Sequence, residues 1–200
     1  MKPKLPVFCL IMSLSAAFFA ISAEDDELLK NKEVLAYGLE SEIVGLLQKL
    51  ESDEAQIYYE EILNLFNTTR STPVKDAIIQ YFKSKKNFEL KNFALALLSD
   101  PMDAKRSTVL AVIDYVAALK ITEASLSLRS LVNSGNNEFR DQAIKALGSV
   151  GGPDDAAFLL EYLDSEIDAD EKTRLIIRQN IMTALGDIGS QDSWSRLSEI

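Results

Sequence analysis

Apolar residues recur along this chain at intervals of three and four from about residue 25 onward, without the strict alternation typical of a half-buried strand. Three such stripes are Ile43-Leu46-Leu47-Leu50, Tyr58-Ile62-Leu65-Phe66 and Val74-Ile78-Phe82. Residues at this spacing share one face of a helix. The pattern therefore predicts an all-α protein.

Clusters of turn-forming residues divide these stripes into segments of about 10 to 17 residues. The clusters are Ser52-Asp53, Ser71-Thr72-Pro73, Ser99-Asp100-Pro101, Asn133-Ser134-Gly135-Asn136 and Gly151-Gly152-Pro153. Because helices joined by short loops pack as antiparallel neighbours, we expect an initial helix followed by about five antiparallel pairs. The expected ranges are about 25–37 for the first helix, then 40–66, 73–98, 104–132, 137–164 and 171–200 for the pairs.

The chain also resembles itself at a fixed offset. Residues 139–151 align without gaps on residues 177–189, an offset of 38, and the Arg, one Ala, the Leu and both Gly recur in place. Fainter copies are centred on Arg106 and Val74, and an acidic insertion at 164–171 explains the longer last interval. One helix pair cannot bury its own apolar face, so neighbouring pairs must stack, which predicts an α-solenoid.

Each copy of the strongest repeat contains two glycines three residues apart. We expect Gly148 and Gly186 to end their helices, where a residue that tolerates positive φ is favoured. The following run, Gly151-Gly152-Pro153-Asp154-Asp155, predicts a turn into the next helix, because Pro and Asp suit the first helical turn. The same glycine pairs lack the preceding strand and following Lys-Ser/Thr of a phosphate loop, so helix termination is the favoured explanation.

The run apolar-Arg-x-x-Ala-x-x-Ala-Leu-Gly-x-x-Gly followed by Asp resembles the HEAT-repeat family, particularly the HEAT-like repeats also found in phycobilin lyases. The resemblance is good over residues 136–200 and limited to the pattern over about 40–135. It implies a right-handed stack of helix pairs whose second helices line a concave face, with Arg140 and Arg178 at the family's position for interhelical hydrogen bonds. Other arrays of helical hairpins remain the alternative, whereas the recurring Trp, Gly and Tyr of tetratricopeptide repeats are missing.

The first 23 residues have the layout of a secretory signal peptide. Lys2 and Lys4 precede an uncharged stretch from Leu5 to Ala23, and small residues stand just before an acidic cluster. We expect cleavage after Ser22 or Ala23, which leaves a helical-repeat domain of residues 24–200 in the periplasm or outside the cell. The alternative is an uncleaved anchor, since the uncharged stretch approaches the roughly 20 residues of a spanning helix.

The amino-acid composition limits the catalytic groups and metal ligands that the chain can provide. The chain has 31 acidic and 21 basic residues, no His, and a single Cys, Cys9, inside the signal segment. Cleavage removes two lysines, so the mature chain has 19 basic residues, a charge of −12, and neither Cys nor His. Imidazole bases, thiolate nucleophiles and Cys/His metal sites are thereby excluded. The negative field also disfavours nucleic acid and, after cleavage, membrane surfaces.

Two groups of carboxylates resemble functional sites. The acidic residues of 164–170 alternate like calcium ligands, but an EF-hand loop starting at Asp164 would need Gly at Ala169 and Glu at Leu175, so a solvated loop is favoured. Adjacent carboxylates at Glu60-Glu61 and Asp154-Asp155 point about 100° apart on a helix, so we expect exposed edges rather than acid–base dyads.

Two apolar clusters allow either a structural or a binding role. Tyr58, Ile62 and Phe66 have the spacing of a helix core, although with Tyr59 they could line a recognition groove. The core is the favoured interpretation. At the other end, Trp194, Leu197 and Ile200 leave an apolar surface where terminal repeats are normally polar. We therefore hypothesise that the natural chain continues or that this helix docks end-on against a partner.

These patterns favour an exported, non-enzymatic helical-repeat scaffold that binds a protein or peptide through its extended surface. No catalytic residue, cofactor site or metal site is indicated by the sequence. The inference to binding is an analogy from the fold. Two alternatives stay open: a lyase- or isomerase-like enzyme, implied only by the phycobilin-lyase members of the family, and a membrane-tethered spacer.

Overall fold

The computed structural model describes residues 26–52, 58–134, 137–165 and 169–189. Every regular element within these ranges is a helix, which confirms the all-α prediction. In the same ranges, no helix combines the length and the apolar character needed to cross a membrane. The signal segment 1–23 and the apolar residues Trp194, Leu197 and Ile200 lie outside the described residues, so the expectations about them stay predictions.

The helices follow the predicted segments closely. They are α1 at 26–37, α2 at Glu40–Glu51, α3 at Tyr59–Thr68, α4 at Thr72–Ser84, α5 at Lys91–Ser99, α6 at Arg106–Ala118, α7 at Ser125–Asn133, α8 at Asn137–Val150, α9 at Pro153–Asp164 and α10 at Glu171–Ile188. A short 3₁₀ turn, Thr122–Ala124, precedes α7. The described residues thus complete four predicted pairs and the first helix of the fifth.

The chain divides into two compact units, of which the first ends at Val74. Its core is built from one apolar stripe on each of α1, α2 and α3, represented by the buried side chains of Leu35, Leu47 and Ile62. Polar contacts join α1 to the start of α3. The Asn31 side-chain amide donates a 3.0 Å hydrogen bond to the Tyr58 hydroxyl.

The second unit begins at Lys75, within α4, and includes the helices from α5 to α10. Its closest packing joins α5 to α6, α7 to α8 and α9 to α10, and also joins the successive first helices α6, α8 and α10. The tightest contacts therefore run between the predicted pairs rather than within them. Stacking of neighbouring pairs is what a repeat unit needs in order to cover its apolar face.

Polar side chains in the second unit link positions about one repeat apart. Three such contacts span 32 residues each: Thr108 with Asp76 at 2.6 Å, Lys91 with Glu123 at 2.6 Å, and Arg106 with Glu138 at 3.0 Å. A contact of this span joins one pair to the next pair along the chain. The apolar stacking thus has a polar counterpart on the helix surfaces.

Lysines occupy the left-handed turns after α4 and α6. Lys86 and Lys120 have φ values of 51° and 53°, and the corresponding residue after α10 is Gly189 with φ of 67°. In each lysine turn the next amide bonds back to the helix, from Asn87 to Phe82 and from Ile121 to Val116. The upstream repeats therefore turn in the same way without the glycine that favours this geometry.

The expectation that Gly148 and Gly186 end their helices is wrong. Helix α8 continues to Val150 and α10 to Ile188, so both glycines lie inside a helix. Gly148 is buried, and a Cβ atom there would lie 2.9 Å from the Cα of Ala184. The absence of a side chain at Gly148 allows α8 and α10 to approach closely, which is a role in packing rather than in termination.

Candidate functional site

An open cleft of about 730 Å³ joins neighbouring pairs in the second unit. It is lined on one side by residues between Thr122 and Arg129, and on the other by residues between Val150 and Asp155. We call it the turn cleft, because it lies where the short connections before α7 and before α9 come together.

A buried carboxylate forms the floor of the turn cleft. Asp155 is 5% exposed, and its Oδ1 atom accepts hydrogen bonds from the Arg129 Nε at 2.6 Å and from the Ser125 hydroxyl. Its Oδ2 atom accepts from the Gly152 amide at 2.8 Å. Both carboxylate oxygens are therefore bonded, and α7 is fastened to the first turn of α9.

Local sequence explains why Asp155 occupies this position. Pro153 begins α9, as predicted, because its fixed φ suits the first helical residue and its missing N–H costs nothing there. Asp155 is then the third helical residue, from which a carboxylate reaches back to the Gly152 amide. The partial positive charge at the start of a helix also favours a negative group at this point.

The electrostatic balance keeps Asp155 ionised. Burial by itself would raise the pKa of this carboxyl, but hydrogen bonds from Arg129, Ser125 and the Gly152 amide outweigh that effect. The pKa of Asp155 consequently lies below its ordinary value. A carboxylate that stays charged and has both oxygens occupied is suited to clamping helices and unsuited to donating a proton.

Arg129 is held from two sides. Besides its bond to Asp155, its guanidinium lies 5.6 Å from the centre of the Phe158 ring, within the range of a cation–π interaction. The side chain retains 24% of its exposure, so the arginine forms part of the cleft wall. Arg129 therefore links α7 to α9 through an aromatic contact as well as an ion pair. We call Ser125, Arg129, Asp155 and Phe158 the clamp.

The rim of the turn cleft combines apolar and acidic groups. Leu126 is 73% exposed, and Pro153 and Asp154 are exposed beside it. Glu123 receives a 2.6 Å hydrogen bond from Lys91, and this bond lowers the pKa of the glutamate. An apolar side chain next to exposed carboxylates is a surface that suits binding more than chemistry.

The adjacent carboxylates predicted from the sequence have different environments. Glu60 is exposed, and Glu61 forms a 2.7 Å ion pair with Lys32 of α1. Asp154 is exposed as predicted, but the expectation of an exposed edge is wrong for Asp155, which is buried in the clamp. The signal in the sequence was its third position after the glycine turn, which distinguishes it from Asp154.

The aromatic stripe of α3 belongs to the core of the first unit. Tyr58, Ile62 and Phe66 are 5%, 0% and 5% exposed. The favoured structural interpretation of their spacing is confirmed.

The acidic connection before α10 contains a helix cap. Asp170 accepts hydrogen bonds from the amide of Thr173 at 3.0 Å and from its hydroxyl, and these bonds lower the pKa of the aspartate. Asp164 is the last residue of α9, whereas Glu166 and Asp168 lie outside the described residues. Across the part of the chain that the structure describes, no group of three acidic side chains is placed to hold a metal ion.

The two repeated arginines have unequal environments. Arg140 is 6% exposed on α8, and its Nε has no hydrogen-bond partner. Arg178 is exposed on α10. A hydrogen bond between helices is made by the Thr108 hydroxyl of α6, which donates to Asp76 of α4 at 2.6 Å. The Tyr115 hydroxyl of α6 donates to the Asn87 carbonyl, in the connection between α4 and α5, at 2.6 Å. Burial raises the pKa of Tyr115 to about 12, so this donor keeps its proton.

A second surface depression, of about 650 Å³, lies along α10. Its lining residues are Leu175, Arg178, Gln179, Met182 and Thr183. Together with the exposed Gly186, one turn beyond Met182, we call them the α10 face. These residues recur at helical spacing on the side of α10 opposite its buried residues Ile177 and Ile181.

A family model described as "Spirochaete HEAT repeat protein" matches residues 35–200 of the chain. No curated protein was found that matches the sequence.

Proposed function

Because the chain belongs to the family of spirochaete HEAT repeat proteins, we propose that it is an exported scaffold that binds a protein or peptide partner and carries out no catalysis. The scaffold is a right-handed α-solenoid in this proposal. Family membership supports the repeat architecture, and solenoids commonly bind partners along extended surfaces. The binding role itself is inferred from the surface of this chain.

The turn cleft is the observation that carries the proposal. Its buried carboxylate is bonded at both oxygens inside the protein, so most of the hydrogen-bonding capacity of Asp155 is used to join α7 to α9. The exposed groups of the rim, by contrast, include the 73% exposed Leu126. A rigid floor with an open, partly apolar rim supports recognition of another chain.

The rim also indicates the chemistry of the partner. An apolar side chain can cover Leu126 and Pro153, while the exposed Asp154 favours a positive charge nearby. The proposed ligand is therefore a peptide segment in which an apolar residue stands beside Lys or Arg. The high negative charge of the whole chain speeds the approach of such a segment.

Crosslinking in the native cell tests the proposal. A photoreactive amino acid at position 126 is expected to capture a defined protein, whereas the same group at Lys145, which is exposed on α8, captures much less. Leu126→Asp should reduce capture, and Ser130→Asp, one turn along the exposed face of α7, should not. Recovery of the monomer alone at position 126 would contradict the binding role.

The export part of the proposal has its own test. The mass of the protein recovered from the native cell should correspond to a chain that begins at Ala23 or Glu24. A recovered chain that retains residues 1–23 and fractionates with the membrane would instead identify a tethered spacer.

A further inference from the structure

The strongest repeat places the same residue types on α8 and on α10. At an offset of 38, Arg140 corresponds to Arg178, Ile144 to Met182 and Gly148 to Gly186. Residues four apart share a helix face. Each helix therefore carries a face formed by an arginine, an aliphatic residue and a glycine.

On α8 this face is covered by α10. Ile144 is fully buried, and Gly148 lies so close to Ala184 of α10 that a Cβ atom would be 3.2 Å from the alanine Cβ. The contact consists of a small residue on one helix opposite the missing side chain on the other. It lets the two helices approach closely at this point.

On α10 the equivalent face is open. Met182 is 41% exposed, Leu175 is 60% exposed, and a Cβ atom at Gly186 would meet no atom within 4 Å. The depression of the α10 face runs along this side of the helix. The described part of the second unit therefore ends in a helix whose outer side repeats an interface that is used one repeat earlier.

We propose that the α10 face binds an amphipathic helix of a partner protein that presents an alanine among aliphatic residues, as α10 presents Ala184 to α8. The occupant follows from the continuity of the stack, since the docked helix makes against Gly186 the contact that Ala184 makes against Gly148. The exposed Arg174 and Arg178, one turn apart, favour an acidic residue on that helix.

This inference rests on the proposed function, because a docked helix is one form of protein partner. It concerns a different surface from the turn cleft and a different ligand, a helix rather than a peptide segment beside Leu126. The two proposals can therefore fail separately.

A synthetic peptide with the sequence of residues 171–189 is the probe, because it carries the alanine face of α10 itself. Fluorescence anisotropy of the labelled peptide against the purified full chain should show saturable binding. Gly186→Leu and Met182→Glu in the full chain should each weaken it about tenfold or more, because both positions are open and the variants keep the fold. The control variant Met102→Glu, at an 88% exposed residue of the loop before α6, should bind as the parent does.

A peptide with Ala184→Leu should also bind about tenfold more weakly, since the leucine cannot approach the glycine. Circular dichroism and thermal midpoints of the variants should match the parent. Absence of binding, or binding that Gly186→Leu leaves unchanged, would overturn the proposal. Self-association of the parent that Met182→Glu abolishes would assign the face to a second copy and overturn the stated occupant. Continued capture at position 126 in either case would leave the proposed function intact.

Discussion

Helices α8 and α10 contain the same repeat motif and occupy opposite situations in the second unit. Helix α8 packs against α6, α7 and α10, whereas α10 packs against α8 and α9 and leaves its other side exposed. Ile144 and Met182, equivalent in the motif, are 0% and 41% exposed. The comparison shows that a repeat motif encodes a face suited to packing, while the neighbour decides whether that face becomes core.

The equivalent glycines of the two helices also differ in their surroundings. Gly148 is required because Ala184 lies against it, whereas Gly186 has open space where its side chain would be. A residue that is essential in one copy is thus replaceable in the other, as far as the stability of the single chain is concerned. Matched substitutions in the two copies measure the difference directly.

Truncation of the aliphatic residue should give the largest contrast. Ile144→Ala is expected to lower the free energy of unfolding by about 3 kcal/mol, because it removes a fully buried side chain and leaves a cavity. Met182→Ala, at the equivalent exposed position, should cost less than about 1 kcal/mol. Urea denaturation followed by circular dichroism measures both. Equal losses would mean that the α10 face is covered in solution.

Loss of the ion pair between Arg129 of α7 and Asp155 of α9 should have the next largest effect on stability. Asp155→Asn removes the charge from a buried ion pair and should cost about 2 kcal/mol, because Arg129 loses its anionic partner. Asp154→Asn, at the adjacent exposed position, should change the free energy of unfolding by less than about 0.5 kcal/mol. Urea denaturation measures both variants. A similar loss in the two variants would contradict the assignment of the clamp to Asp155.

The same clamp predicts a dependence on pH. Since the pKa of Asp155 is lowered in the folded state, its contribution is complete above the pKa of the unfolded chain and is lost as the pH falls through the folded value. Unfolding free energies measured from neutral to acidic pH should therefore fall more steeply for the parent than for Asp155→Asn. Parallel curves would show that the carboxylate gains nothing from its partners.

Alanine at the two glycines should change stability in opposite directions. Gly148→Ala is expected to destabilise by about 2 kcal/mol, because its Cβ would meet the backbone of Ala184 and push the two helices apart. Gly186→Ala should stabilise by about 0.5 kcal/mol, since alanine is the better helix former and no neighbour opposes it. Thermal unfolding of the two variants beside the parent gives the sign of each change.

The last prediction concerns the turn that ends α6, where the expected effect is smaller than the losses at Ile144, Asp155 and Gly148. Lys120→Gly should stabilise by about 1 kcal/mol, because glycine adopts the left-handed conformation of this turn without steric cost. Lys145→Gly, at an exposed residue inside α8, should instead destabilise, because glycine is a poor helix former. Chemical denaturation distinguishes these outcomes, and equal effects would argue against strain at Lys120.

The spacing of apolar residues in the sequence predicted the helices well. The predicted segments agree with the observed bounds within a few residues wherever the structure describes them, because each helix carries a local stripe and is bounded by a local breaker. The turn at Pro153 followed from local chemistry for the same reason. Features that depend on a single helix and its ends could therefore be predicted.

Features that depend on a neighbouring helix could not. Gly148 and Gly186 have the same local pattern, and only the approach of α10 makes the first a packing contact. The position of Asp155 after the glycine turn is a local signal, but its ion pair depends on Arg129, 26 residues away. Some helix ends could not be predicted either, although they are local: Lys86 and Lys120 gave no signal, because lysine has no preference for the left-handed conformation.

The span of the polar contacts has a consequence for how the molecule folds. The hydrogen bonds between helices that join Thr108 to Asp76 and Lys91 to Glu123 close segments of only 32 residues. Closing short segments costs little chain entropy, and low contact order is associated with rapid folding. Within the second unit, nucleation is therefore expected at any adjacent set of helices, with growth toward either end, so that a nascent chain can acquire structure before its last helix has been synthesised.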